Sequence, residues 1–156
     1  MKKLIFYTVI LLNLNTQVIT SEIYGMPVIT DGDTVTISNN KIRLHGIDAP
    51  EKNQKCTKNK EKYDCGAAAT KALIKKINKN KVKCLTQKKK DRYNRFVGVC
   101  FVEKVDLNKW MVRNGYAIAY RRYSKNYILD EKFAKRNKLG LWSGTFLKPE
   151  KWRKIN

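Results

Sequence analysis

The chain has 156 residues, with 34 Lys and Arg against 13 Asp and Glu, a formal net charge of +21. That length supports one compact core and is short for two, while a hydrophobic content of 42% excludes a merely disordered basic tail. So large a positive charge points to a polyanionic partner.

Residues 1–21 do not read as part of the domain. Lys2 and Lys3 precede a mostly apolar run at 4–12, and polar and small residues follow as far as Thr20 and Ser21. This is the layout of a secretory signal peptide, and the apolar run is too short to span a bilayer. No Ala-x-Ala cleavage site occurs, so an uncleaved N-terminal anchor is the alternative. The expected location is secreted or periplasmic, with no integral membrane span in the mature chain. The expected organisation is a leader at 1–21, a single domain at 22–147 and a basic C-terminal tail at 148–156.

Three short β-prone runs come first, at 24–30, 33–38 and 41–46. Asp31-Gly32 reads as a turn and Asn39-Asn40 as the tight turn of a hairpin. Centring that turn between its two residues pairs positions whose numbers sum to about 79. Val35, Ile37, Ile42 and Leu44 then share the core face, Asp33 stands opposite Gly46, and Asp48 arrives beside Asp33. The same register puts Arg43 on the face opposite Asp33, so it reaches the acids only if the strands twist strongly. Ala49-Pro50 ends the strand, because the residue before proline is held extended.

A lysine-rich loop is expected at 52–64, then a helix at 66–78 with Ala69, Leu73 and Ile77 on its inner stripe. Lys71, Lys75 and Lys79 form its wet face. Two strands follow at 81–86 and 94–102, separated by a basic loop at 87–93. Asp106 reads as a helix N-cap ahead of Leu107, Trp110 and Met111, with Gly115 as the stop. A last helix is expected at 127–138, burying Leu129 and Phe133. The pattern is mainly β with α, a small barrel capped by helices.

Cys56, Cys65, Cys84 and Cys100 suit an exported chain, and their even number implies two disulfides with three arrangements open. The favoured pairing is Cys56–Cys65, closing a polar loop, and Cys84–Cys100, joining two strands. The absence of Cys-x-x-Cys, with His45 the sole histidine, argues against zinc. His45 lies in a strand with no second histidine nearby and reads as structural or solvent-exposed.

The stretch 31–51 reverses the charge around it. It holds Asp31, Asp33, Asp48 and Glu51 but only Lys41 and Arg43 as fixed bases. Carboxylates gathered in a basic protein imply a cation among them, and hard oxygen ligands suit calcium or magnesium. Arg43 and Arg95 bring planar guanidinium groups, which match the negative charge developing on a phosphate under attack.

Thr30-Asp31-Gly32-Asp33-Thr34-Val35, then Ile42-Arg43-Leu44-His45-Gly46-Ile47-Asp48-Ala49-Pro50-Glu51, then Asp91-Arg92-Tyr93-Asn94-Arg95 resemble the staphylococcal nuclease family in order and spacing. The likeness continues through Leu107-Asn108 and Asn114-Gly115-Tyr116-Ala117 to Gly140-Leu141-Trp142, covering 24–144. It implies a five-stranded OB-fold barrel capped by three helices, and calcium-dependent hydrolysis of DNA and RNA that leaves 3′-phosphate ends. By position, Asp33, Asp48 and the backbone carbonyl of Ala49 would hold Ca2+, with Asp31 behind them. Glu51 would hold or deprotonate the attacking water, and Arg43 and Arg95 would neutralise the phosphate. Tyr93 and Tyr120 resemble the tyrosines flanking the nucleotide, and Arg121 and Arg122 are candidate substrate contacts. Ala49 stands where the best-known member has Thr, and Asn94 where it has Gly. A non-catalytic OB-fold binding single strands is the alternative, and the protein is expected to act as a monomer.

Overall fold

The computed structural model describes residues 21–156. The expected leader thus lies outside the described residues, except for Ser21, the first residue of β1. No helix among the described residues is long and apolar enough to cross a membrane.

Alternation of buried and exposed residues builds the central sheet. Its strands are β1 (Ser21–Gly25), β2 (Pro27–Asp31), β3 (Thr34–Ile37), β4 (Asn40–Leu44), β8 (Val82–Thr86) and β9 (Phe96–Val102). The order is β1-β8-β9-β4-β3-β2, with β4 and β9 parallel and the other pairs antiparallel. β1 and β2 are separated only by Met26, so one bent strand begins and ends the path. Counting it once leaves five strands curled on themselves, the expected OB-fold barrel. Val35, Ile37, Ile42, Leu44, Val82, Cys84, Cys100 and Val102 fill the interior.

The hairpin turn is centred one residue earlier than expected, which shifts each cross-strand partner by two. Thr34 pairs with Arg43 and Ile37 with Asn40, because the turn is Ser38-Asn39, with φ of 47° and 64°. Both central residues take the left-handed region that a tight two-residue hairpin turn requires. A shift of two residues preserves the strand alternation, so the core face is unchanged.

Helix α1 (Cys65–Ile77) buries the expected stripe of Ala69, Leu73 and Ile77 against the barrel. Asp106 caps α2 (Leu107–Arg113) by accepting from the Lys109 amide at 2.8 Å. Inside α2, the fully buried Asn108 donates to the carbonyls of His45 and Gly98 and accepts from the Cys100 amide, clamping β4 against β9.

Helix α3 (Ile128–Arg136) departs from the reading. Leu129 is 75% exposed, and the buried positions are Asp130, Glu131 and Ala134. The inner face is polar because Glu131 accepts from the Ala119 amide and pairs with Arg121 and Lys135, while Asp130 pairs with Arg113. Phe133 lies under the Arg113 guanidinium, 3.8 Å from its ring centre.

Other short elements escaped the sequence pattern. A ribbon joins β5 (Ile47–Asp48) to β11 (Ile118–Ala119), and the lysine-rich loop contains the hairpin β6 (Cys56–Lys58) and β7 (Glu61–Tyr63). The short β10 (Val105–Asp106) extends β9. A 3₁₀ turn at Gly140–Ser143 precedes a fourth helix, α4 (Pro149–Ile155), where a solvated tail was expected. Both favoured disulfides, Cys56–Cys65 and Cys84–Cys100, are formed.

Gly66 couples α1 to the chain segment carrying Glu51, since a β-carbon there would lie 1.8 Å from the Glu51 carbonyl oxygen. Alanine in a helix interior gains at most about 1 kcal/mol over glycine, whereas forced overpacking costs about 1–3 kcal/mol and more where backbone must move. The clash wins. Gly66→Ala is therefore expected to lower stability by at least about 1 kcal/mol, read as a reduced denaturation midpoint at unchanged slope.

Candidate active site

Asp33 follows a β-bulge between Ile29 and Asp31, just ahead of β3. Asp33 itself lies in the turn between β2 and β3, outside the ladder that pairs Thr34 with Arg43, so strand alternation does not bind it and Arg43 reaches it. The Asp33 amide donates to Asp31 Oδ1 at 3.0 Å, and Asp33 Oδ2 accepts from the Ala49 amide at 2.7 Å. Residues 16 apart in sequence are thereby locked together.

Arg43 stands between two acids. Its Nη1 pairs with the Asp33 carboxylate and donates to the Asp33 carbonyl, while Nη2 donates to Asp48 Oδ1 and to the Ile47 carbonyl, each at 3.1 Å. Burial pulls the Arg43 pKa down from its ordinary value, opposed chiefly by the charge of Asp48. Asp48 lies in β5 and is 0% exposed. Burial pushes its carboxyl up, against the pull of Arg153 and Arg43.

The second partner of Asp48 comes from α4. Arg153 donates through Nη1 to Asp48 Oδ1 at 2.9 Å and to Glu51 Oε1 at 2.7 Å, and through Nη2 to Asp48 Oδ2 at 3.2 Å. Burial opposes the Arg153 charge, but the hydrogen bonds to Asp48 and Glu51 prevail and raise its pKa. Glu51 is held from behind by Gln54, a fully buried side chain whose Oε1 accepts from the Glu51 amide and whose Nε2 donates to the Leu147 carbonyl.

On the opposite wall Arg95 sends Nε and Nη2 to Asp91 Oδ2, at 3.0 and 2.9 Å. Asn94 takes φ of +59° in that turn, a conformation asparagine tolerates better than most residues. Tyr93 is exposed and lies under the Arg92 and Arg95 guanidinium groups. Tyr120 packs edge-on to Tyr123 at 4.8 Å, and burial, then the charge of Asp48, raises its hydroxyl pKa.

Asp31, Asp33, Arg43, Glu51, Arg95 and Tyr120 are among the residues lining one open cleft of about 1100 Å³, while Asp48, fully buried, is not among the lining residues and is joined to the cleft through Arg43. Tyr93 and Arg122 also line it. Arg121 is not among the lining residues; its guanidinium pairs with the buried Glu131. His45 lines the wall, half-buried, and burial lowers its pKa.

Sequence reasoning missed Arg153, Gln54 and Glu131. Nothing in a lysine-rich C-terminus distinguishes the one arginine that folds back. A polar residue at an inner helix position, as Glu131 is, was the only available sign.

Among the described residues, no group of three or more His, Cys, Asp or Glu side chains is gathered closely enough to hold a metal ion. Arg43 separates Asp33 from Asp48, and Arg153 joins Asp48 to Glu51. The donor chemistry nevertheless fits a hard divalent cation: the available atoms are carboxylate and carbonyl oxygens, and a cationic group already occupies the Asp48–Glu51 pair.

Fold and site together define the class, an OB-fold barrel whose mouth combines buried carboxylates with guanidinium groups in a strongly basic chain. The family model described as "Staphylococcal nuclease homologue" matches residues 41–144. The chain is 34% identical over 146 residues to "Micrococcal nuclease" of Shigella flexneri, covering 82% of this chain and 78% of that protein. It is 34% identical over 134 residues to an "Uncharacterized endonuclease" of Haemophilus influenzae, covering 81% and 70%. It is also 32% identical over 123 residues to "Succinoglycan biosynthesis protein ExoI" of Rhizobium meliloti, covering 77% of this chain and 64% of that relative's length. The chain belongs to the staphylococcal nuclease family.

Asp91 offers a direct check on the Arg95 wall. Partial burial pushes its carboxyl up, but hydrogen bonds from the Arg95 backbone and side chain and from the Tyr93 amide hold it below the usual range. A depressed folded-state pKa contributes stability above the unfolded value of about 3.9, lost as pH falls through the folded value. Asp91→Asn is thus expected to lower the melting temperature at neutral pH, with the deficit shrinking below about pH 4. A deficit independent of pH would remove the ionised carboxylate from this role.

Proposed function

We propose that this protein is an exported, calcium-dependent nuclease that hydrolyses phosphodiester bonds of DNA and RNA with little sequence preference and leaves 3′-phosphate ends. The observation that carries the reading is the convergence of Asp33 and Glu51 with Arg43 and Arg95 at one cleft, with the buried Asp48 hydrogen-bonded to Arg43 beside it, in a chain with net charge +21. The family relationship supports an enzyme acting on nucleic acids.

Asp33 and Asp48, with the Ala49 carbonyl, would hold calcium, and Asp31 fixes the Asp33 backbone behind them. Bound there, calcium would polarise the phosphate and make water a better nucleophile. Glu51 holds or deprotonates that water, which attacks phosphorus in line as the bond to the 5′ oxygen breaks. The phosphate stays on the 3′ side. Arg43 and Arg95 neutralise charge gathering on the non-bridging oxygens; lysine would lose the planar fork that matches two oxygens at once. Tyr93, Tyr120 and Arg122 contact the nucleotide, and Arg121, the other candidate contact, is engaged with Glu131 beside the cleft. Lysine-rich surfaces elsewhere add affinity without sequence preference, and that affinity falls with salt.

The leader at 1–21 and the two disulfides support export. The expected domain, 22–147, supplies the barrel, and the segment from 148 onward modulates it.

The test is digestion of single-stranded DNA and RNA with calcium, with magnesium and with chelator, for wild type and Glu51→Gln. Digestion is expected to require calcium and to fall at least about a hundredfold in the variant, the scale of losing a positioned proton acceptor. Equal digestion by both proteins would reject the role of Glu51, and binding without turnover would leave a non-catalytic barrel.

A further inference from the structure

The contacts of Asp48 are saturated. An ionised carboxylate offers about four lone-pair positions. Oδ1 accepts from Arg43 Nη2 and Arg153 Nη1, and Oδ2 accepts from Arg153 Nη2 and the Glu150 amide. Arg153 also takes Glu51 Oε1, so a single guanidinium spans the two acids. No position on Asp48 remains for a metal ion until one of these donors withdraws.

The donors are not equally free to leave. Arg43 belongs to the central strand β4, its side chain is 13% exposed, and it is pinned further by the carbonyls of Asp33 and Ile47. Arg153 belongs to the terminal helix, its side chain is 35% exposed, and its side-chain hydrogen bonds all go to the two acids. The Glu150 amide that completes Asp48 belongs to the same helix. Lifting α4 therefore frees Asp48 Oδ2 completely and half of Oδ1, together with Glu51 Oε1. Gln54 anchors the chain just ahead of α4 through the Leu147 carbonyl, so the helix, with Pro149 and Glu150, moves about that point without the chain detaching. Trp152 and Lys154 line the same cleft, so the helix also covers part of the substrate path.

We propose that Arg153 is a tethered cation that closes the Asp48–Glu51 pair in the metal-free protein, and that calcium displaces it and lifts α4 from the cleft. The metal-free carboxylates are thereby spared their mutual repulsion, and the site opens as calcium loads. The inference rests on the calcium-site reading above, because it needs a divalent ion to claim the same oxygens. Its consequence is a lowered apparent affinity, since the ion binds only the fraction of molecules in which the guanidinium has withdrawn.

Calorimetric titration with calcium chloride, without nucleic acid, tests this on the full chain as wild type, Arg153→Ala and Lys151→Ala. Lys151 is exposed on the same helix and controls for loss of one positive charge. Arg153→Ala is expected to bind calcium about tenfold or more tightly than wild type, and Lys151→Ala to change affinity less than about twofold. A companion measurement on wild type follows trypsin cleavage within 149–156, expected to accelerate on adding calcium. Calcium binding to Arg153→Ala but not to wild type overturns the displacement, because the guanidinium would then block the acids without yielding to the ion. Equal affinities for wild type and Arg153→Ala, with cleavage unaffected by calcium, overturn it while leaving the calcium site intact. Binding by neither protein overturns both. Should Arg153→Ala fail to fold, Arg153→Lys, which keeps the charge but loses the two-oxygen fork, is expected to bind more tightly than wild type, and equal affinity again overturns the proposal.

Discussion

The structure turns on the Arg43 guanidinium, held between the carboxylates of Asp33 and Asp48 at the mouth of the barrel. Breaking a buried ion pair from one side costs about 3–5 kcal/mol, because the remaining charge is left without water or partner. Much of the surrounding architecture follows from avoiding that cost. The turn between β2 and β3 delivers Asp33, the ribbon of β5 and β11 delivers Asp48, and Asn108 fixes the strand junction from which Arg43 projects. A fold that needs this pair satisfied cannot easily let the site drift.

The same constraint explains why the acids stay close in so basic a protein. Asp33, Asp48 and Glu51 are each balanced by a guanidinium within hydrogen-bonding or ion-pair distance, not by the diffuse charge of surface lysines. Arginine suits that task because its planar fork engages two oxygens at once. The lysines remain exposed on α1, on the β6–β7 hairpin and in the loop before Arg95, where they shape the long-range field. Two kinds of positive charge thus do different work: lysine attracts, arginine positions.

Charge balance also gives the C-terminal segment its meaning. Residues that read as a solvated tail form a short helix because Asp48 and Glu51 offer Arg153 a site that water cannot match. Gln54 ties the chain before that helix to the backbone of Glu51, so the segment and the acid are registered to each other. An acid pair next to a replaceable cation is a natural place for metal loading and substrate access to meet.

Local pattern settled much of this protein. Alternation in β3 and β8, the Ala69, Leu73 and Ile77 stripe, the Asp106 cap and the spacing of the acid and arginine blocks are all short-range signals, and the sequence carries them openly. Both disulfides were favoured from the same level of reading. The hairpin turn moved by one residue, and its pairing by two, because Ser38-Asn39 and Asn39-Asn40 offer similar turn chemistry. The inward face of α3 was misjudged because its partners, Arg113 and Arg121, lie on other elements. Where Arg153 goes was decidable only in three dimensions. A guanidinium among many lysines has no local preference, and only the folded barrel, by burying Asp48 and leaving its oxygens in need of donors, selects the one that returns.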